Sequence, residues 1–469
     1  MKKLPCLLIV TIMLLSACLF LQQAHASTPV SGLIASNVTW SAANSPYELT
    51  GPVCVMTGAT LTIQPGVTVD FGSYYMLVNG TLIADGTSNN KITLTAANPA
   101  SGTYSQQIQF NPSNTNSIIQ NADADQVSIL AKGCSLTISD NLFENPQRLA
   151  IQCTNGATAT ISGNVFQNVF DEGISVGGSS TVTGNLFNIT TGWATAIVAH
   201  ENAYVSGNQI LGFYRGVMSD GSGTIEGNVI ENCIECGIVS QGSATIQQNY
   251  ISNSQVGISF GSGNVHDNTL VNNQVGVMLW SSASGFIDNS IVGSTRYSAN
   301  ITISSNANVP NNWWGTTDIN AINQTIWDFK DDFTLGVVNF TPVLNAPSSG
   351  APTSPTINIT APASTTSSQH SQTNPTNSTA TSTATPSSST RPVTTQNAVQ
   401  NPILSQLGSS NLIQLATLIA LVVVALLLAA LIILTIRKRT SPKTVTKPRT
   451  KKKPAGRASP PKMKTPPTQ

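Results

Sequence analysis

The chain is short of charge. Asp, Glu, Lys and Arg make up 9% of its 469 residues, against roughly 25% in an ordinary globular protein. That scarcity argues against a body that binds nucleic acid, which needs a basic face. The acids also stop early: all 20 Asp and Glu precede residue 333, whereas 12 of the 21 Lys and Arg follow Ile436. The near-neutral total therefore hides two regions facing different environments. With 4 His and 7 Met, ligands for a soft-metal site are scarce. Cys233-Ile234-Glu235-Cys236 has metal or redox spacing, but no second cysteine pair or nearby His completes a zinc set, and no βαβ pattern surrounds it. A tight disulfide or two ordinary turn residues remain. No metal site is expected.

What the chain does have is an asparagine about every 21 residues: Asn141, Asn164, Asn185, Asn208, Asn228, Asn249, Asn268, Asn289 and Asn312. An apolar residue sits three before it (Ile161, Val182, Val205, Ile225, Ile246, Val265) and another two after it (Phe166, Phe187, Ile210, Ile230, Ile251, Leu270, Ile291). Each unit then carries a small-residue turn and an alternating pair, as in Gly257-Ile258-Ser259-Phe260. Period-two alternation of β-formers, broken by turns and lacking a helical stretch, predicts three short strands per unit. A fixed period of this length makes each unit one coil of a solenoid.

Coils paired as strands lie about 4.8 Å apart, so equivalent residues stack into ladders. A stacked asparagine can donate to one neighbouring coil and accept from the other, which satisfies a polar group pointing inward. The preceding column, Asp140, Gly163, Gly184, Gly207, Gly227, Gln248, Asp267, Asp288 and Asn311, consists mostly of residues that tolerate a left-handed turn, with Gln248 the poor fit. Cys134 and Cys153 are 19 residues apart, a spacing that allows a coil-to-coil disulfide in an exported protein.

The two ends carry addresses. Residues 1–26, Met1-Lys2-Lys3 with an apolar run and Ala24-His25-Ala26, read as a secretory signal. Leu15-Ser16-Ala17-Cys18 also has the form of a bacterial lipobox, although the residues after Cys18 stay apolar. Residues 412–436 predict a transmembrane helix, since the apolar run from Leu415 to Ile436 reaches across a ~30 Å hydrocarbon core at ~1.5 Å per residue. The basic tail 437–469 places the carboxyl end in the cytoplasm and residues 27–345 outside. Residues 346–404, dominated by Ser, Thr, Pro, Asn and Ala, are expected to be a stalk, disordered or extended, with no packed core. Glycosylation triplets stand at Asn37, Asn79, Asn188, Asn300, Asn323, Asn339, Asn358 and Asn377.

Ala59-Thr60-Leu61-Thr62-Ile63-Gln64-Pro65-Gly66-Val67-Thr68-Val69 and Val78-Asn79-Gly80-Thr81-Leu82-Ile83-Ala84-Asp85-Gly86-Thr87 resemble the opening coils of right-handed parallel β-helix surface proteins. The asparagine coils are similar to the repeats shared by pectate-lyase-like proteins and the NosD copper-protein maturation family. Asn311-Asn312-Trp313-Trp314-Gly315-Thr316 with Val337-Val338-Asn339-Phe340-Thr341-Pro342 resembles their closing segment. The resemblance implies an all-β, right-handed, single-stranded parallel β-helix over roughly residues 35–345. Trp313, Trp314, Trp327 and Phe329 are expected to close its end, because an open coil exposes unpaired backbone.

The resemblance also implies that an enzyme on this fold would gather acids, a basic residue and often calcium on one outer face. The dense aspartate and arginine motifs of pectin-degrading relatives are not visible here. Asp171, Glu172, Trp193, Tyr214, Arg215, Glu235 and Tyr297 are expected to stack into an acidic and aromatic ridge, with ring faces suited to sugars. A second column holds His200, Glu201 and Asp220, and a third Glu226, Gln247 and His266. Glu201 and Asp220 are the candidate carboxylate pair if the separation of ~5–9 Å needed for glycoside hydrolysis is met. The leading expectation is a membrane-anchored surface protein that binds polysaccharide or surface glycoprotein without catalysis and without a cofactor. Its rival is a polysaccharide lyase or glycoside hydrolase acting on acidic polysaccharide, the one reading in which calcium enters. A third reading is a structural spacer.

Overall fold

The computed structural model describes residues 26–96 and 106–355, apart from 115, 147, 190, 191 and 284. The signal segment, the apolar run at 412–436 and the basic tail lie outside these residues, as do Asn358 and Asn377. Among the described residues no helix is long and apolar enough to cross a membrane.

The strands wind as a parallel right-handed solenoid of about 12 turns. One coil runs Thr181–Thr183, Leu186–Asn188, Thr195–Ala199, and the next runs Tyr204–Ser206, Gln209–Leu211, Arg215–Ser219. Each strand pairs in parallel with its counterpart: Val182 with Val205, Phe187 with Ile210, Ile197 with Val217. First strands from successive coils make one 12-stranded sheet. Because register is coil-to-coil, the two predicted apolar columns are buried ladders: Ile161, Val182, Val205, Ile225, Ile246 and Val265 are each at most 1% exposed. The second column begins as a ring stack, with Phe143, Phe166 and Phe187 at centroid spacings of 5.1 and 4.5 Å.

The asparagines form a continuous chain of hydrogen bonds. Asn164 Nδ2 donates to Asn185 Oδ1 at 2.9 Å and to the Ile138 carbonyl at 3.0 Å. Its Oδ1 accepts from the backbone N–H and Nδ2 of Asn141. The same geometry repeats to Asn312, where the amide turns to the carbonyls of Phe286, Val309 and Pro310. The preceding column is left-handed throughout, from Asp140 at φ 57° to Asn311 at φ 57°, and Gln248 joins it at φ 56°. The ladder on either side dictates that backbone, so Gln248 adopts a conformation its side chain does not favour. A second left-handed column, at Asn145, Asn168, Gly212, Asn232, Asn253, Asn272 and Gly293, turns the chain from the second strand toward the third.

The ends are closed differently. At the first coil Trp40 stacks on Tyr47, centroids 4.8 Å apart. At the last, Trp314 is buried edge-on to Phe340 at 6.3 Å, and the backbone of Trp313 continues the ladder to Asn289 and Ile291. A short helix, Ile319–Gln324, capped by Asp318, lays Ile322 inward. Trp327 pairs beside Asn300 and packs on Tyr297 at 5.2 Å. Phe329 differs from expectation: it is exposed and meets the exposed Phe333 instead of the core.

The segment expected to begin the stalk first runs back along the coils. Leu344 N–H donates to the Asn312 carbonyl, Ser348 N–H to Ser290 Oγ, Ser348 Oγ to Asp267 Oδ1, and Thr269 Oγ1 to the Pro352 carbonyl. Small and Pro-rich residues suit such a strap, since bulkier side chains would hold it off the sheet.

Candidate functional site

With the Asn ladder, the apolar columns and the turns consumed by the scaffold, chemistry is left to the outer faces. Arginine–carboxylate pairs, the Trp193–Tyr214 contact and a His–Asp pair gather at the two ends of the third strands between Leu149 and Ser240. The outward positions in successive coils are Glu172 and Ser175, Thr195 and Val198, Arg215 and Met218, Cys236 and Val239.

One edge of this face is the ridge. Arg148 Nε donates to Asp171 Oδ2 at 2.8 Å across one coil boundary. Two coils further on, Arg215 grips Glu235 with two parallel bonds, Nη2 to Oε1 at 3.1 Å and Nε to Oε2, which holds the guanidinium firmly protonated. Between them Trp193, 79% exposed, leans on Tyr214 with centroids 4.9 Å apart, and the Arg215 guanidinium carbon sits 5.4 Å from the Tyr214 ring centre. Glu172 lies just inside. Burial, and secondarily Asp171, push its carboxyl above the usual range, while His200 and Arg148 pull the other way.

Two expected members sit elsewhere than the spacing implied. Thr195, not Trp193, occupies the column of Glu172 and Arg215, so Trp193 rises from the preceding turn. Tyr297 does belong to that column but lies beyond Cys236, Val256 and Val275, which form a buried apolar patch. It makes a separate cluster with Trp327, and Arg296 lies 5.1 Å from its ring centre.

The opposite edge brings together His200 and Asp220, as their column implied, with His200 Nδ1 2.8 Å from Asp220 Oδ1. Glu201 turns away: its Oε2 accepts from the Gly178 N–H at 2.5 Å, toward the preceding coil. The two candidate carboxylates thus hold different partners while lining one open pocket with His200. Ser175, which the sequence reading passed over, lies with its Oγ 3.4 Å from His200 Nε2. Arg148 was missed as well. Neither residue type stands out in this sequence, and only the register brings them to the face.

The third expected column does not converge. Gln247 Nε2 donates to Glu226 Oε2 at 3.0 Å, whereas His266 Nδ1 bonds Asp267 Oδ2 at 2.8 Å. The described cysteines are free thiols. Cys134 and Cys153 do not share a column, because Cys153 pairs opposite Ala131 and the carbonyl of Cys134 accepts from Thr158. Here one coil spans 22 residues, from Ala131 to Cys153, so the 19-residue interval misses its register. Burial pushes the Cys153 and Cys233 thiols up to about 12 and Cys236 higher still. Among the described residues no three His, Cys, Asp or Glu are grouped to share a metal ion. Of the described glycosylation triplets, Asn37, Asn188, Asn323 and Asn339 are exposed; Asn79 and Asn300 are partly buried.

Residues 127–275 match the family model described as right handed beta helix region, and residues 32–141 match that of the pectate-lyase like beta helix domain. With coil pairing, ladder and turns in agreement, the chain belongs to the right-handed parallel β-helix family. No curated protein and no solved structure matches it.

Proposed function

We propose that this is a membrane-anchored cell-surface β-helix that binds envelope or extracellular polysaccharide, or the glycan of a surface glycoprotein, along the ridge edge of its third-strand face. The observation that carries the reading is the exposed Trp193–Tyr214 pair set between two arginine–carboxylate pairs, Arg148–Asp171 and Arg215–Glu235. Ring faces stack on the apolar faces of sugars, and the flanking ion pairs offer donors and acceptors to hydroxyls and carboxylates. The anchor is the apolar run 412–436 followed by Arg437-Lys438-Arg439, which orients the body outward behind a secretory signal at residues 1–26. The Ser/Thr/Pro-rich stretch after residue 355 then spaces the body from the membrane.

Retention of the full-length chain on a glycan array tests the reading. Trp193→Ala and Tyr214→Ala are each expected to weaken retention about tenfold or more, the scale of one lost stacking contact of ~1–2 kcal/mol. No retention on any glycan, or variants indistinguishable from wild type, sinks it.

A further inference from the structure

We infer that Ser175, His200 and Asp220 form an acyl-transfer site, with Ser175 Oγ as nucleophile toward ester carbonyls. The three residues stand on three successive coils at the edge of the face opposite the aromatic ridge. The inference concerns O-acyl groups on a bound saccharide, and to that extent it rests on the proposed glycan-binding role.

The chemistry follows from what each atom can accept. A carboxylate accepts only, so Asp220, 2.8 and 3.0 Å from His200 Nδ1 through its two oxygens, requires the proton on Nδ1. In the neutral ring that leaves Nε2 as an acceptor, and the hydroxyl within reach of it is Ser175 Oγ, at 3.4 Å. This is the order of roles in a nucleophile–base–orienter set, with contacts of the looser kind seen before substrate arrives. Ser175 is 7% exposed, so little water competes for its proton. The parallel ladder fixes the relative heights of all three coils, which spares a substrate the cost of assembling the groups.

Acylation proceeds as Ser175 Oγ attacks the ester carbonyl carbon and passes its proton to His200 Nε2. The carbon–alkoxy bond then breaks, and the leaving sugar oxygen takes that proton. Water next attacks the acyl-serine with His200 again as base. The Ser175 Oγ–carbonyl bond breaks, the proton returns to Oγ, and a carboxylic acid departs. Water is the one co-reactant. Asp220 touches no reacting atom and is a positioning residue.

The test is the reaction of the purified full-length chain with p-nitrophenyl acetate, followed by release of nitrophenol and by mass spectrometry of the peptide containing Ser175. Acetylation of Ser175 is expected, with the rate lowered about 100-fold or more in Ser175→Ala and His200→Asn, the usual scale for loss of a nucleophile or its base. Asp220→Asn is expected to lower kcat with little change in KM, and Asp220→Glu to restore part of it, which a merely structural carboxylate would not do. Ser259→Ala, in the same outward column three coils beyond Met218's neighbour Val198 and outside the site, serves as the control and retains the wild-type rate. Acetylation that is absent from Ser175, or a Ser175→Ala variant as reactive as wild type, overturns the inference. Glycan retention measured on the same samples separates the two proposals: retention without acetylation refutes only the acyl-transfer site, and acetylation without retention refutes only the binding role.

Discussion

Replacing Asn228 by alanine takes one rung from the middle of the amide ladder. Asn228 is fully buried. Its Nδ2 donates to Asn249 Oδ1 at 2.9 Å and to the carbonyls of Val205 and Glu226, both at 3.1 Å, while its Oδ1 accepts the backbone N–H of Asn208 at 3.0 Å and Asn208 Nδ2 at 2.9 Å. After truncation the Asn208 side chain still reaches the Val182 carbonyl, and Asn249 Oδ1 still accepts the backbone N–H of Asn228. The Asn208 backbone N–H has no such reserve. An orphaned buried donor costs about 1–3 kcal/mol, and the cavity left by the amide adds about 1 kcal/mol. The expected loss is therefore about 2–4 kcal/mol, felt mainly in the coils on either side, because a solenoid is stabilised by nearest-neighbour contacts.

Native-state hydrogen exchange reads this locally: the Asn208 amide should exchange about 30- to 1,000-fold faster, at 1.4 kcal/mol per tenfold. Asn228→Asp sharpens the argument. It keeps the acceptor toward Asn208 but sets a second carboxylate oxygen against three other oxygens, so the fold raises the carboxyl's pKa above its unfolded value of about 3.9. The folded state then holds the proton over a window where the unfolded chain has released it. Stability is intact below pH ~3.9 and falls by about 1.4 kcal/mol per unit as pH rises toward the folded pKa. Relative to Asn228→Ala, the Asp variant should be the better protected near pH 4 and the worse at pH 7. Asn208 exchange within about threefold of wild type in the alanine variant, or an Asp-to-Ala difference that ignores pH, would refute the ladder as a source of stability.

The glycines offer a second comparison. A Cβ on Gly227 meets nothing within 4 Å, so Gly227→Ala bears only the strain of φ 62°, about 1–2 kcal/mol, whereas a Cβ on Gly223 would lie 2.0 Å from the Ala203 carbonyl oxygen and force adjacent coils apart. Urea denaturation should show Gly223→Ala to be the more damaging, and the reverse order would contradict the coil spacing. The thiols offer a third: iodoacetamide at pH 8 should label half-exposed Cys54 first and leave Cys153 and Cys233 nearly unlabelled until the chain unfolds, since burial holds both thiols at about 12. Peptide mass spectrometry decides this, and labelling of Cys233 as fast as Cys54 in the folded chain would show that its coil opens freely.

The scaffold was legible because a ladder demands the same residue at the same height in every coil. Asn164 and its equivalents announced their own contacts, and the residue before each disclosed a left-handed turn even where, at Gln248, the side chain argues against it. Length was legible at the turn that the asparagine itself occupies, since the first-strand apolar residue always precedes it by three. Beyond the second strand that control lapses. Eight residues separate Asn164 from Glu172, ten separate Asn185 from Thr195, seven separate Asn208 from Arg215 and eight separate Asn228 from Cys236, although the four end positions share one column.

Counting from the asparagine therefore placed Trp193 in a column that Thr195 fills, and it gave no sign that Ser175 joins His200 and Asp220, because their offsets from the preceding asparagine are 11, 15 and 12. The two facts have one cause. A turn free to change length is a turn the ladder does not constrain, and its side chains can be chosen for something other than stacking. The longest of these connections, between Asn185 and Thr195, is the one that raises Trp193 over the ridge, and the coil it leads into carries His200. On a scaffold this repetitive, departures from the period mark where the surface is released from the ladder, and both proposed sites fall beside the largest departure.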